Sequence, residues 1–297
     1  MARKTAKDFH PEALQLFDKY VHGEISRRDF LSSVPKYALL GLSAEALLEA
    51  LNPRFAQAQQ VSNDDPRLIT RIVEFPSPHG NGKVHGYLAQ PARIEGKLPI
   101  VLVVHENRGL NPHIEDIARR LALDNFIAFA PDALYTLGGY PGDEDKAREL
   151  FKNLGKAKTQ ADFLAAAQAL KKLPDGNGKI GAVGFCYGGG IVNYLATQLP
   201  DLAAGVPFYG AQPSAEDAAN IKAPLLLHYA GADERINAGW PAYEAALKKA
   251  GVSYEAFIYP GVQHGFNNDT TPRFDAAAAK LAWDRTLAFF NKHLRAG

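Results

Sequence analysis

The chain has one cysteine, and its neighbours suit a nucleophile. Cys186 lies in the segment 184–189, whose sequence is Gly-Phe-Cys-Tyr-Gly-Gly, between a short apolar run and a helical pattern. A Gly-x-nucleophile-x-Gly segment between a strand and a helix forms a tight turn that exposes the nucleophile. The N-terminus of the following helix adds positive potential, which favours a thiolate over a thiol. We therefore predict that Cys186 is a nucleophile.

Other roles explain this pattern less well. A structural cysteine is usually a small buried hydrophobe and has no need of flanking glycines. The glycines at 181, 184 and 188 do not have the G-x-G-x-x-G spacing of a dinucleotide-binding turn. A disulfide or a thiolate metal site needs further cysteines, and the sequence contains none. The sequence thus predicts neither a metal nor a cofactor.

An acid and a histidine follow two later apolar runs. Asp233 comes after the run 224–230, and His264 comes after the run 254–259. The order nucleophile, acid, histidine is that of α/β hydrolases. His264 would take the proton of Cys186 and return it to the leaving group, while Asp233 would fix the tautomer of the imidazole. Glu234 is the alternative acid, although its longer side chain fits the turn less well.

The strongest apolar run ends at the segment His105-Glu-Asn-Arg-Gly109. In an α/β hydrolase this loop supplies one amide of the oxyanion hole, and the residue after the nucleophile supplies the other. We assign these amides to Asn107 and Tyr187. Glu106 is a carboxylate that an ordinary esterase does not need, and its alternative role is an ion pair with a nearby arginine.

Apolar runs and helical patterns alternate from residue 65 onward. The predicted strands are Leu68–Phe75, Lys83–Ala89, Leu98–His105, Phe126–Ala130, Lys179–Gly184, Ala203–Phe208, Pro224–Tyr229 and Tyr254–Tyr259. The predicted helices are Ile114–Asp124, Lys146–Leu154, Gln160–Lys172, Gly190–Gln198, Pro241–Ala250 and Asp275–Leu294. This alternation predicts a single α/β domain of the α/β-hydrolase type, with a mainly parallel sheet flanked by helices. The first two strands would form a hairpin around Asn81-Gly82.

The overall charge excludes strongly electrostatic partners. The 297 residues include 33 Lys and Arg and 32 Asp and Glu, for a formal net charge of +1. Such a balance creates no field that would favour nucleic acid or an anionic membrane. The expected partner is therefore a small molecule.

The first 58 residues have the features of an export leader. The segment 26–31, Ser-Arg-Arg-Asp-Phe-Leu, resembles the twin-arginine signal of bacteria. A moderately apolar stretch from Tyr37 to Leu51 follows it, and Ala56-Gln-Ala58 is a small-x-small cleavage site. We predict a leader over residues 1–58 and a hydrolase domain over residues 59–297. The export machinery would then be a partner, and the protein would be periplasmic or secreted.

A second interpretation treats residues 10–51 as amphipathic helices that pack on the domain, in a cytoplasmic protein. Glu45 and Glu49 favour it, since carboxylates are unwelcome in the apolar core of a signal peptide. The stretch is also too short and too charged to span a membrane as a stable helix.

The chain resembles the dienelactone hydrolase family, the carboxymethylenebutenolidase group of α/β hydrolases. The resemblance covers residues 65–295 and rests on the cysteine turn, the Gly-x-Asp turn at Asp233, the Gly-x-x-His segment at His264, and Glu106. It implies an enzyme that opens a cyclic enol-lactone through a thioester on Cys186. It also implies that Glu106 holds the resting thiol and helps to generate the thiolate when substrate binds.

The resemblance carries over less well to the substrate. Dienelactone-specific members hold the substrate carboxylate with two arginines, for which Arg148 and Arg273 are approximate matches and Arg108 is a further candidate. Within the same class, a broader esterase or thioesterase would have a pocket formed by Tyr135, Tyr140, Tyr209 and Trp240. A third possibility is a non-catalytic protein that binds carboxylates or senses oxidants through its thiol, since fold does not fix function.

Overall fold

The predicted alternation of strands and helices is confirmed. The structure is a computed structural model that describes residues 4–37 and 43–295. Its eight strands are β1 (Leu68–Ser77), β2 (Gly82–Pro91), β3 (Leu98–Val104), β4 (Ile127–Pro131), β5 (Gly176–Phe185), β6 (Ala204–Phe208), β7 (Leu225–Ala230) and β8 (Tyr254–Tyr259). They form one sheet in the order β1-β2-β4-β3-β5-β6-β7-β8.

The strands from β4 to β8 in the sheet order are parallel, and only β2 runs against the others. The pairs β1–β2 and β2–β4 are antiparallel, whereas each later neighbouring pair is parallel. All seven residues of β3 are buried, which explains its continuous apolar sequence. The carboxyl ends of β3, β5, β7 and β8 consequently meet at one edge, where the predicted reactive residues follow them.

Eight helices follow the hairpin. They are α5 (Pro112–Leu123), α6 (Glu144–Lys152), α7 (Lys156–Leu170), α8 (Tyr187–Gln198), α9 (Ala215–Ala218), α10 (Glu234–Asn237), α11 (Trp240–Ala250) and α12 (Ala276–Leu294). Apolar side chains of α7, α8 and α11 form one buried cluster with the sheet, and those of α5 and α12 form a second one. The sheet is therefore covered on both faces, as in a single α/β domain.

The β1–β2 hairpin differs from its prediction in detail. Ser77 pairs with Gly82, so the turn consists of residues 78–81 and Gly82 is already the first residue of β2. Gly82 has a φ of 88°, a left-handed conformation that glycine adopts without strain. The backbone N–H and the side-chain amide of Asn81 donate to Asp162 of α7. That attachment, rather than a two-residue turn, determines the conformation of the loop.

Among the described residues before the sheet there are four α-helices: α1 (Pro11–Val21), α2 (Arg27–Ser33), α3 (Ala44–Leu51) and α4 (Phe55–Ala58). Apolar side chains of α1, α2 and α3 form a separate buried cluster that includes Phe17 and Phe30. The predicted apolar stretch from Tyr37 to Leu51 includes residues 38–42, which lie outside the described residues. Helical packing is what the second interpretation of this region expected, and export itself stays a prediction.

The N-terminal helices are joined to the domain by polar contacts. Arg148 Nη1 donates to the carbonyl oxygen of Tyr20 at 3.0 Å, and Arg273 Nη1 donates to Asp18 Oδ1 at 3.2 Å. The backbone N–H of Arg54 donates to Thr270 O at 2.8 Å. Within the part of the chain that the structure describes, no helix has both the length and the apolar character needed to cross a membrane.

Candidate active site

Cys186 lies in the tight turn that its flanking glycines predicted. Its φ is 56° and its ψ is −113°, a conformation that a non-glycine residue rarely adopts and that stores strain. A Cβ on Gly184 would lie 2.1 Å from Gly188 O, and a Cβ on Gly188 would lie 2.2 Å from Val104 O. Larger residues at either position would push β5, α8 and β3 apart. The turn thus holds the thiol at the start of α8, beyond the end of β5.

His264 and Asp233 are brought together as predicted. His264 Nδ1 lies 2.5 Å from Asp233 Oδ2, and the two residues are 5% and 4% exposed. Glu234, the alternative acid, is exposed. A ring nitrogen of His264 lies within 4.8 Å of Cys186 Sγ, while its Nε2 has no hydrogen-bond partner among the described residues. Nε2, the ring nitrogen that does not contact Asp233, is therefore available to exchange a proton in the site.

A second histidine, His22, contacts the thiol, and it was not among the site residues predicted from the sequence. His22 Nε2 lies 3.3 Å from Cys186 Sγ. Its Nδ1 lies 2.8 Å from the carbonyl oxygen and 3.3 Å from the carboxylate of Asp18, one helical turn earlier. The rings of His22 and His264 meet edge to face with centroids 4.7 Å apart. The only signal in the sequence was the Asp-x-x-x-His spacing on one helix face.

The electrostatics of the site favour an ionised thiol. Burial by itself raises the pKa of Cys186, but the charges of His264 and His22 outweigh burial and lower that pKa to about 6. Burial lowers the pKa of His264, whereas the Cys186 charge and the hydrogen bond to Asp233 raise it to about 10. The pKa of His22 is raised by the same thiol and by Asp18, against the effect of burial. A thiolate beside an imidazolium is the expected state at neutral pH.

A cavity of about 590 Å³ opens directly over the thiol. His22, Cys186 and His264 lie in its wall, together with the predicted oxyanion-hole residues Asn107 and Tyr187. The backbone N–H of Cys186 donates to Phe208 O at 3.1 Å, and Tyr187 is the first residue of α8, where backbone N–H groups have no partner within the helix. Aromatic and aliphatic side chains also line the cavity, among them Phe151, Ile191, Tyr194, Tyr209 and Ile236.

Glu106 does not contact the thiol in this structure. Its Oε2 accepts a hydrogen bond from Asn268 Nδ2 at 2.8 Å, and it lines a smaller neighbouring cavity. The contact that the family resemblance assigned to Glu106 is made by His22 instead. The N-terminal region brings His22 to Sγ, while Asn268 binds the carboxylate of Glu106. A role for Glu106 when substrate binds stays a prediction.

The three arginines predicted to bind a substrate carboxylate all have protein partners. Arg108 Nε lies 3.2 Å from Glu144, and its Nη1 donates to the Asn107 side chain at 2.6 Å. Arg148 stacks on the ring of Tyr20 at 3.8 Å, and Arg273 pairs with Asp18. None of the three is in the wall of the main cavity. The cations that do line it are Lys156 and Arg235, which the sequence reasoning missed.

Of the four residues of the predicted aromatic pocket, Tyr209 lines the cavity, and its ring packs on His264 with centroids 4.8 Å apart. Tyr135 donates to Glu74 and stacks on His85 beside the hairpin, away from the thiol. Trp240 packs among other aromatic residues at the start of α11, and Tyr140 donates to Glu144. Neither Tyr135, Tyr140 nor Trp240 lines the cavity. Long side chains on loops and helix ends cannot be assigned to a pocket from sequence position alone.

His22, Cys186 and His264 also form a group of metal-binding donors within 4.8 Å of one another. One thiolate and two imidazoles suit a thiophilic cation such as Zn²⁺. A cation bound there would occupy the lone pairs of the predicted nucleophile and of both imidazoles. The group therefore fits a metal only in competition with nucleophilic chemistry.

Residues 84–294 match the sequence model described as "Dienelactone hydrolase family". The chain belongs to the dienelactone hydrolase family. A relative from Escherichia coli K12 named "Putative carboxymethylenebutenolidase" is 32% identical over 249 residues, which are 78% of this chain and 90% of the relative. A solved "Putative Dienelactone Hydrolase" from Klebsiella pneumoniae has 30% identity and a TM-score of 0.66, and the match covers 76% of this chain and 99% of that one. The protein is a dienelactone hydrolase-like hydrolase.

The N-terminal region has matches of its own. Residues 1–36, which include α1 and α2, match a model described as YqhI-like. A protein from Escherichia coli K12 named "Putative hydrolase fragment YghX" is 54% identical over 109 residues, which are 37% of this chain and 93% of that protein. The helices that bring His22 to the thiol thus lie outside the segment that matches the dienelactone hydrolase family.

The pKa of Cys186 predicts how its alkylation depends on pH. We expect the rate of reaction with iodoacetamide to rise with a midpoint near pH 6, since only the thiolate reacts and the pKa is about 6. His264→Gln should move the midpoint upward, because it removes the largest of the effects that lower this pKa. Cys186→Ser is the control for labelling elsewhere. A wild-type midpoint at or above pH 8 would contradict the electrostatic argument.

Proposed function

We propose that the protein is a cysteine-dependent hydrolase that opens lactones or cleaves small carboxylic esters through a thioester intermediate. The observation that carries the proposal is the strained Cys186 turn facing the His264–Asp233 pair at the wall of a cavity. Membership of the dienelactone hydrolase family supports the reaction class. The roles of the individual residues follow from their geometry and chemistry.

The first half of the reaction is acylation of Cys186. The thiolate attacks the carbonyl carbon, so a C–S bond forms and the carbonyl π electrons move to the oxygen. The backbone amides of Asn107 and Tyr187 stabilise that oxyanion. The intermediate collapses, the C–O bond to the leaving group breaks, and the imidazolium of His264 gives its proton to the departing oxygen. In a lactone the released alcohol stays attached to the acyl group.

The second half is hydrolysis of the thioester. His264, now neutral, takes a proton from a water molecule whose oxygen attacks the acyl carbon. The C–S bond breaks, the thiolate is restored, and a carboxylic acid is released. Asp233 stabilises the charged imidazole in both halves and keeps Nδ1 as the donor, so that Nε2 faces the reacting atoms.

The cavity favours substrates without a carboxylate. The arginines that would recognise one, Arg148 and Arg273, are bound to the N-terminal helices through Tyr20 and Asp18. Of the two cations that do line the cavity, Arg235 already lies near the carboxylates of Asp18 and Glu24, and Lys156 shares the wall with Asp217. We infer that neutral lactones and esters are the substrates, with the broader esterase interpretation more suitable than strict dienelactone specificity.

Replacing the nucleophile tests the reaction class. Cys186→Ala should lower turnover of p-nitrophenyl acetate and of a panel of lactones by about 10³-fold or more, because the covalent route is removed. Mass spectrometry of the rapidly quenched wild type should find one acyl group on the peptide containing Cys186. Turnover that survives the substitution would exclude Cys186 as nucleophile, and no turnover by the wild type on any panel member would favour a binding protein.

A matched pair of substrates tests the inference about charge. We expect kcat/KM for diethyl succinate to exceed that for monoethyl succinate by about tenfold or more, since an unpaired carboxylate in this cavity costs at least about 1.4 kcal/mol. The two compounds share the same scissile bond, so intrinsic reactivity is controlled. A preference for the half-ester would show that an arginine becomes available to the substrate.

We also propose that the segment 26–31 directs export by the twin-arginine route. Arg27 and Arg28 are exposed on α2, where another protein can reach them. Replacing both by Lys should remove the protein from the periplasmic fraction of cells, and Arg71→Lys on the exposed strand β1 is the control. Undiminished periplasmic protein after the double substitution would refute this proposal.

A further inference from the structure

Cys186 lies between two imidazoles, each of which is backed by a carboxylate. On one side Asp233 contacts Nδ1 of His264, and on the other Asp18 contacts Nδ1 of His22. The arrangement around the two histidines is the same. One pair follows strands of the sheet, whereas in the other pair Asp18 lies on α1 and His22 directly follows that helix. His22 Nε2 lies within hydrogen-bond distance of Sγ, at 3.3 Å.

The contacts of His22 determine its tautomer. Nδ1 must carry the proton, because both atoms near it, the carbonyl and carboxylate oxygens of Asp18, are acceptors. Nε2 is then an acceptor, which is consistent with Arg235 Nη2 at 3.2 Å as a donor. The thiol lies 3.3 Å from the same nitrogen, so the thiol and Arg235 compete for its one lone pair. His22 is therefore oriented to receive the proton of Cys186, as a catalytic histidine is in a triad.

The position of His22 is fixed by its neighbours in the chain. Asn107 Nδ2 donates to Val21 O at 2.9 Å, and Arg148 donates to Tyr20 O. Arg273 pairs with Asp18, the residue that orients the imidazole. Each of these contacts joins the last turn of α1 to the catalytic domain. The cavity nevertheless stays open beside the thiol, so α1 forms part of its wall instead of filling it.

We propose that His22 is a catalytic residue, which takes the thiol proton of Cys186, and that Asp18 is the positioning residue that orients it. The inference rests on the proposed cysteine-dependent function. The S–H bond breaks, its electron pair stays on sulfur, and the proton goes to His22 Nε2, where the nearby Asp18 carboxylate offsets the positive charge. His264, whose pKa is raised to about 10, is already an imidazolium at neutral pH and keeps the proton that it later gives to the leaving group. His22 thereby performs the activation that the family resemblance assigned to Glu106.

Several other groups contribute to the titration of this thiol. His264 with Asp233 faces it from the sheet edge, while Asp18 and Arg235 surround His22. Arg108 and Tyr209 interact with it electrostatically. All of them remain in a His22 variant, so the shift seen on changing His22 alone measures its own contribution.

The test is alkylation of Cys186 by iodoacetamide as a function of pH in the full chain. His22→Gln keeps a hydrogen-bonding side chain but cannot take a proton, and we expect it to raise the midpoint by about one unit and to slow the reaction about fivefold at pH 6. Asp18→Asn should shift the midpoint in the same direction by less. His79→Gln, at an exposed turn, is the matched control.

Chemical rescue separates a proton acceptor from a packing residue. In His22→Ala, added imidazole should restore alkylation and turnover, because the open cavity admits it to the place of the lost ring. The proposal is overturned if the pH profile of His22→Gln coincides with that of the wild type, or if imidazole restores neither alkylation nor turnover in His22→Ala. It is also overturned if Glu106→Gln is the only variant that moves the midpoint. Alkylation needs no substrate, so a wrong substrate class or turnover surviving Cys186→Ala would be recognised separately.

Discussion

The negative charge of the Cys186 thiolate is the constraint around which the site is arranged. A buried thiolate is costly unless nearby groups replace the water that it loses. Here two imidazoles do so, and they lower the pKa of the thiol to about 6 in spite of burial. The positive end of α8 favours the thiolate as well. The strained turn at Cys186 places the sulfur where all of these groups can reach it. Stabilisation of the thiolate depends on the glycines at 184 and 188, on the ends of β7 and β8, and on helix α1.

The N-terminal helices serve the domain by pairing with its buried cations. Arg148 and Arg273 are 7% and 8% exposed, and buried guanidinium groups without partners would destabilise the fold. Tyr20 and Asp18 supply the missing acceptors. For family members that bind a carboxylated lactone, the resemblance implies that the substrate carboxylate pairs with these arginines. In this chain Tyr20 and Asp18 take the place of that carboxylate, and the proposed substrates are accordingly neutral.

Much of the catalytic arrangement could be predicted from the sequence. Cys186, Asp233 and His264 each follow an apolar run, and parallel strands bring the residues after their carboxyl ends to one edge. His22 could not be found in this way, since 164 positions separate it from Cys186 and it lies on a helix outside the sheet. The partners of Arg108, Arg148 and Arg273 were missed for a related reason: a sequence pattern indicates where a charge lies along an element, but the docking of another element decides what neutralises it.

A short connection joins His22, which contacts the thiol, to the segment proposed to direct export. His22 is the residue after α1, and Ser26, which caps α2, begins the proposed twin-arginine segment only four residues later. Cleavage after Ala58 would remove the histidine altogether. The full chain would then have the His22 base at its thiol, and the cleaved form would lack it. The reactivity of Cys186 would therefore differ between the enzyme before export and the enzyme after it.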